Sequence, residues 1–337
     1  MGRYIAKRFL LVIPTILGVI TLVFFLRFLS PGDPARLMLG ERATPDAVRV
    51  LRAEWGLDRP KAEQYLVYMG KVLRLDLGRS YKNGDPVAQE ILTRFPATVE
   101  LSVVSMVIAS VLGILAGVVA ATRRNTVADF VAMVGSLVGV SVPIFWLGLI
   151  LIIVFAVNLN LFPTGGRLDG RMLMVPITGF YTLDGLLYIF REHDFSYFLS
   201  ALHHIILPAV ALATVPLAVI ARVTRSAMLE IMGQDYIRTA RAKGLPERTV
   251  IWSHAFRNAL LPVITIIGIE FGYNLAGTVL TETIFAWPGI GNWLYTAVLS
   301  RDYLAVQGGV AFVSIAFILI NLLVDVMYAY VNPRIRY

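Results

Sequence analysis

The chain has 337 residues, 57% hydrophobic and 15% charged, with a net charge of +8 and no cysteine. So apolar a composition excludes an ordinary soluble globular domain, and the missing cysteines exclude disulfides and thiolate chemistry. The basic excess forms no separate domain but lies beside apolar runs, so it points to membrane orientation and not to nucleic acid.

A spanning helix needs about 20 apolar residues. The first uncharged run is 9–26, preceded by Arg3, Lys7 and Arg8. It is longer than a signal-peptide core and no small-x-small cleavage site follows it, so it reads as a retained span. Arg27 at its far end is placed to snorkel toward headgroups. Residues 30–98 then read as a small helical insertion. Thr44 and Pro45 start one helix with a hydroxyl cap and a first-turn proline, Val48, Leu51 and Trp55 give its spacing, and Gly56 closes it. Asp58-Arg59-Pro60 opens a second, striped by Tyr65, Leu66, Met69, Val72 and Leu73, a stripe read as packing surface. Asn83-Gly84 marks a turn.

Uncharged runs follow at 101–122 and 130–166, the second with Pro143 inside it. Gly113 and Gly117, and Gly135 and Gly139, have the spacing that lets helices approach closely. Residues 158–200 form a second long loop with Pro-Thr-Gly-Gly at 163–166 and an aromatic run over 180–198. His203-His204 has no third ligand nearby, so no metal site is expected. The fourth run, 205–221, contains Pro208 and Pro216, which with Pro143 are candidate kinks. The fifth, 259–281, is interrupted only by Glu270, with Asn274 one turn later on the same face. The last is 303–324, with Asn321 and Asp325 on one face near its end. Six spans result: an all-α polytopic membrane protein with a small helical insertion after the first helix. Short-loop Lys and Arg place both termini and residues 222–258 inside, and 30–98 and 158–200 outside.

Candidate functional residues are few. An intramembrane carboxylate must face a bundle interior or water, which makes Glu270 a pathway candidate or a structurally paired acid; Asn274 and Glu282 join it as pathway candidates. No phosphate-binding loop, zinc-protease motif, nucleophile elbow or nucleophile–base pair occurs, so the chain reads as non-catalytic. The most informative stretch is 234–262, QDYIRTARAKGLPERTVIWSHAFRNALLP, too charged to cross a bilayer and too short to be a domain. Gly233 ends the preceding helix, Asp235 is placed as an N-cap, 236–243 is a short basic helix, and Gly244 ends it before Pro246 and Glu247 start the next. Such a helix either docks a partner or lies on anionic lipid.

The segment YIRTARAKG resembles the cytoplasmic EAA loop of ABC importer permeases in the form of the dipeptide/oligopeptide/nickel branch. Arg238 and Thr239 stand where the general pattern has Glu and Ala, and the spacing from Gly244 to Leu261-Pro262 is longer than in sugar-type permeases. SPGDPA at 30–35, GLDRP at 56–60, QYL at 64–66, DLGRSY at 76–81, ETIFAWPGIG at 282–291 and RDYLAVQG at 301–308 extend the resemblance over the whole chain. It implies the type I importer permease fold, divided into 1–29, an insertion at 30–98 and a core at 99–337. It further implies a bacterial or archaeal cytoplasmic-membrane complex with a second homologous permease, two ATPase subunits and an extracytoplasmic solute-binding protein. This chain would hold no cofactor, ATP and Mg being bound by the ATPases. Asp235, Tyr236, Arg238, Thr239, Ala240, Arg241, Ala242, Lys243 and Gly244 would form the ATPase-coupling helix. VPITGF at 175–180 is closer in look to dipeptide or oligopeptide members than to nickel ones. A nickel or other small-solute importer, an ion-coupled secondary transporter using Glu270, and an intramembrane enzyme remain the rival readings.

Overall fold

The computed structural model describes residues 2–29, 33–40 and 43–331. The first three residues of SPGDPA, and Arg334 and Arg336, lie outside the described residues, as do the side chains of Arg3, Lys7, Arg27 and Asp325. The chain forms two compact units. Among the described residues, one comprises 96–289 with 323–331, and the other 2–95 with 290–322.

The regular elements among the described residues are all helices, with one isolated antiparallel bridge, Arg79 to Pro86. Five of the helices are long and apolar enough to cross a membrane, or six if one bent pair counts as a single span. In the unit of residues 2–95 and 290–322, α1 (Gly2–Leu29) carries the first apolar run. The insertion follows as α2 (Pro34–Leu39), α3 (Pro45–Glu54) and α4 (Lys61–Leu73). The expected caps form: Ala47 N donates to Thr44 Oγ1 at 3.3 Å, Gly56 takes φ +65°, and Gly84 takes φ +77° at the expected turn. The α4 stripe divides. Tyr65 meets the Phe24 ring of α1 at 5.3 Å and its hydroxyl lies 2.7 Å from Thr21 Oγ1, and Val72 is buried, but Leu66 and Leu73 are exposed. The packing face is therefore the tyrosine side of the helix.

The sequence motifs of this unit meet through polar contacts. Arg52 Nη1 donates to Asp33 Oδ2 (2.6 Å) and its Nε to Asp58 Oδ1 (2.9 Å), which ties SPGDPA to GLDRP. The Arg52 pKa is raised, first by the Asp33 hydrogen bond and then by that of Asp58. Ser80 Oγ of DLGRSY donates to Asp302 Oδ2 of RDYLAVQG at 2.5 Å, in the bend between α14 (Ile290–Leu299) and α15 (Tyr303–Val331).

In the other unit the longest helix is α9 (Ser196–Met232), 37 residues that keep Pro208 and Pro216 within one continuous helix. It is the most enclosed of the candidate spans, with 67% of its apolar window buried. It also approaches α5 (Val87–Thr122) closely at two glycines: a Cβ on Gly113 would stand 2.9 Å from Leu217 O, and one on Gly117 would stand 2.5 Å from Thr224 Cβ. In lipid, such small-residue contacts supply the dispersion energy that hydrophobic burial supplies in water. Gly135 and Gly139 differ: nothing lies within 4 Å of a Cβ at Gly135, and Gly139 meets only Thr214 O at 3.6 Å.

The 130–166 run, expected as one span with a proline inside, is broken. Helix α6 (Val127–Ser141) and the segment 144–158, made of α7 (Ile144–Leu151) and a π-helical turn (Ile152–Asn158), meet at 103°. Val142 is held extended (φ −83°, ψ 123°) ahead of Pro143, as proline requires of its predecessor, and Pro143 then caps the next helix. The fifth run also breaks: α12 (Arg257–Ala276) ends at Gly277, before α13 (Thr278–Ile284).

Candidate coupling helix and pathway residues

The basic segment folds as α10 (Asp235–Ala242), followed by the short α11 (Glu247–Thr249) and a π-helical turn, Val250–Phe256. The N-cap is Gln234, without a side-chain cap bond, and not Asp235 as expected. Asp235 instead sits in the first turn, where its charge still favours the helix dipole. Lys243 caps the other end, and Gly244 takes φ +76°, where any side chain is strained although the space beside it is open.

Two faces of α10 do different work. Ile237 is fully buried and Ala240 nearly so, in a cluster with Val118 and Ala121 of α5, Met228 of α9, and Val250 and Ala255 of the π turn. Tyr236, Arg238, Thr239, Arg241, Ala242 and Lys243 are exposed. Ala240, grouped by sequence with the docking residues, thus anchors the helix and offers no surface. Arg241 Nη2 donates to Glu247 Oε1 (2.6 Å) and Nε to Glu247 Oε2 (3.2 Å), closing the bend around Gly244. That hydrogen bond raises the Arg241 pKa. Arg238 lies 3.5 Å from Asp235, both almost fully exposed, a pair worth little. The result is a short basic helix held rigidly from beneath by apolar contacts.

The three pathway candidates differ in their surroundings. Glu270 is half-buried mid-helix in α12, and its side chain has no hydrogen bond or ion pair among the described residues. Asn274 is buried, and its Nδ2 donates to Ser105 Oγ of α5 (3.1 Å) and Leu212 O of α9 (3.5 Å), so it ties three helices. Glu282 is fully enclosed in α13. It accepts from Thr98 Oγ1 at 2.6 Å, and any Cβ on Gly289 would collide with its carboxylate. Its own carbonyl accepts from Trp287 N (2.7 Å), and Trp287 Nε1 donates to Ala97 O (2.9 Å). ETIFAWPGIG is therefore a packed turn built on Glu282, with glycine required where the backbone passes the carboxylate.

Sequence reasoning missed two ionic networks. Buried Arg167 pairs with buried Glu100, donates to Gly179 O at 2.9 Å, and lies 3.8 Å over the Tyr181 ring. Glu100 also accepts from Thr182 N and Oγ1, both at 2.6 Å. Beside it, fully buried Asp184 of α8 (Tyr181–Glu192) accepts from the backbone N–H of Ile177, Thr178 and Gly179. Residues 177–179 of the VPITGF segment in loop 158–200 thus wrap around a carboxylate. In the second network, Arg225 of α9 makes a two-pronged bond to Asp129 of α6 (2.7 and 2.8 Å). His203 Nε2 lies 2.5 Å from Leu161 O, and His204 Nδ1 lies 2.7 Å from Ser200 O.

Residues 113–337 match the family model described as binding-protein-dependent transport system inner membrane component, and residues 1–102 match its N-terminal companion. The chain belongs to this permease family. The permease is 50% identical to the di/tripeptide transport system permease protein DppB of Pseudomonas aeruginosa, over 100% of this chain and 99% of that protein. It is 48% identical to the dipeptide transport system permease protein DppB of Escherichia coli, over 100% and 99%. It is also 39% identical to the glutathione transport system permease protein GsiC of Escherichia coli, over the full length of both. The resemblance to the peptide-type branch of ABC importer permeases thus holds for the whole chain, and no enzyme family is indicated. The permease is a multi-pass inner-membrane protein and a subunit of a larger transport complex.

Proposed function

We propose that this chain is one of two permease subunits of an ATP-driven importer of dipeptides and short oligopeptides. The observation that carries the reading is α10: a basic helix anchored through Ile237 and Ala240, with Tyr236, Arg238, Thr239, Ala242 and Lys243 left facing outward. The names of its relatives, DppB for dipeptides and GsiC for glutathione, support peptides as the substrate class. Counting the bent pair 127–158 as one, the chain crosses six times, with both termini and 222–258 in the cytoplasm and 30–98 and 158–200 outside. Residues 99–337 form the core of the pathway, and the outside loops receive an extracytoplasmic solute-binding protein. Two ATPase subunits bind ATP and Mg, and this chain holds no cofactor and catalyses no step.

Nucleotide-driven closure of the ATPases displaces α10. The Ile237 contact with α5 and α9, and the Arg241–Glu247 clasp around Gly244, make that displacement a rigid-body motion of the spans. Of the pathway candidates only Glu270 keeps that role, facing the pathway or the second permease. An uncompensated charge in hydrocarbon is expensive, about 2.5–3.5 kcal/mol even by the lowest scales. Asn274 and Glu282 are enclosed and hold helices in place. A cysteine introduced at Arg238, in a chain with none of its own, tests the docking. It should react with an impermeant reagent from the cytoplasmic side alone and cross-link to an ATPase subunit in the assembled complex. Labelling from outside, or full reactivity unaffected by the ATPases, would leave α10 as a helix lying on lipid.

A further inference from the structure

The helical insertion contains a cavity of about 640 Å³, walled by α3, α4, the turn at 78–84 and the start of α15. Its size suits a ligand of two or three residues. One wall is aromatic: Trp55 and Tyr81 stack with ring centroids 5.0 Å apart and planes 7° from parallel. Two opposite charges reach it. Glu54 and Lys71 both line the cavity, both are exposed, and neither side chain has a hydrogen-bond or ion-pair partner among the described residues. The other cations there are occupied, Arg59 by Glu63 at 2.9 Å and Arg79 by Gly84 O at 3.1 Å. On the side of α15, Gln307 also lines the cavity, and its Nε2 is enclosed without an acceptor. An unmet donor, an unmet cation, an unmet anion and a flat aromatic wall surround one space.

We propose that this cavity is a receiving site for a small zwitterionic peptide, distinct from the translocation pathway. Glu54 takes the α-ammonium, Lys71 with the Gln307 amide takes the α-carboxylate, and an apolar side chain lies against the Trp55–Tyr81 wall. Two charges of opposite sign favour a ligand with both termini free over single ions. The inference rests on the peptide-importer reading and extends it to a second contact outside the membrane core. Such a site would hold peptide on the outer side of the membrane, for which weak affinity suffices.

The test is binding of the dipeptide Ala-Phe to the assembled transporter in nanodiscs, without solute-binding protein, read by saturation-transfer NMR. A Kd of about 0.1–1 mM is expected for a ligand of this size. Glu54→Gln and Lys71→Gln should each weaken binding about threefold to tenfold, and Trp55→Ala at least as much. The decisive comparison uses blocked ligands. N-acetyl-Ala-Phe should bind more weakly to the unaltered protein, and Glu54→Gln should weaken it no further. Ala-Phe amide should show the same indifference to Lys71→Gln. Both charge variants alter exposed side chains, so folding is not at issue, and unchanged melting temperatures check this. No saturable binding up to about 10 mM, or losses that ignore which end is blocked, overturns the inference. If ATP-driven peptide uptake persists in that case, the importer reading stands and the cavity proposal alone falls. If the complex hydrolyses ATP yet imports no peptide, both fall.

Discussion

Replacing Ile237 by alanine separates anchoring from docking. The side chain is fully buried among Val118, Ala121, Met228 and Val250, while none of its surface is available to a partner. Removing three methyl or methylene groups from such a site costs about 2–5 kcal/mol. A loss of about 3 kcal/mol shifts the balance between seated and unseated α10 by about 150-fold. The exposed face, from Tyr236 to Lys243, is untouched. Ile237→Ala should therefore still co-purify with the ATPases and still hydrolyse ATP, but move fewer peptides per ATP. Loop 234–246 should also become more open to protease. The assay is peptide uptake and phosphate release measured together in proteoliposomes, with Arg238→Ala as the opposite case, expected to weaken ATPase association while leaving the loop protected. An unchanged transport-to-hydrolysis ratio in Ile237→Ala, with unchanged protection, would show that the apolar anchor does not transmit the motion.

Glu270→Gln should assemble normally and alter uptake, whereas Glu270→Leu should impair uptake more severely. Normal uptake by both variants, at equal membrane content, would remove Glu270 from the pathway. At the second loop, Arg167→Met leaves Glu100 buried and unpaired and should cost about 3–5 kcal/mol, seen as loss of folded protein. The double variant Arg167→Met/Glu100→Gln should recover part of that loss, and a double variant no better than the single would mean that Glu100 is satisfied by Thr182 alone.

The apolar runs made the spans legible, and Gly233, Gly244 and Pro246 made the ends of α10 legible to within a residue or two. Capping chemistry also placed α3, because Thr44 and Pro45 act locally. What stayed hidden depends on distance in the chain. Arg167 and Glu100 lie 67 residues apart and Arg225 and Asp129 lie 96 apart, so no local pattern pairs them. Pro143 was ambiguous for a different reason: a proline inside an apolar run looks the same whether the helix bends slightly or turns by 103°. Glu282 looked like a pathway acid because the sequence does not reveal that Thr98 and the turn at Gly289 enclose it. The split face of α10 was within reach, since Ile237 and Ala240 are three apart in a charged segment and mark an inward stripe.

Dipeptide uptake into proteoliposomes holding this chain, its partner permease, the ATPases and the solute-binding protein separates an ATP-driven importer from an ion-coupled carrier. Uptake should require ATP and the binding protein and continue unchanged when an ionophore collapses the ion gradients. Uptake that proceeds without ATP and stops with the ionophore would instead make the chain an ion-coupled carrier.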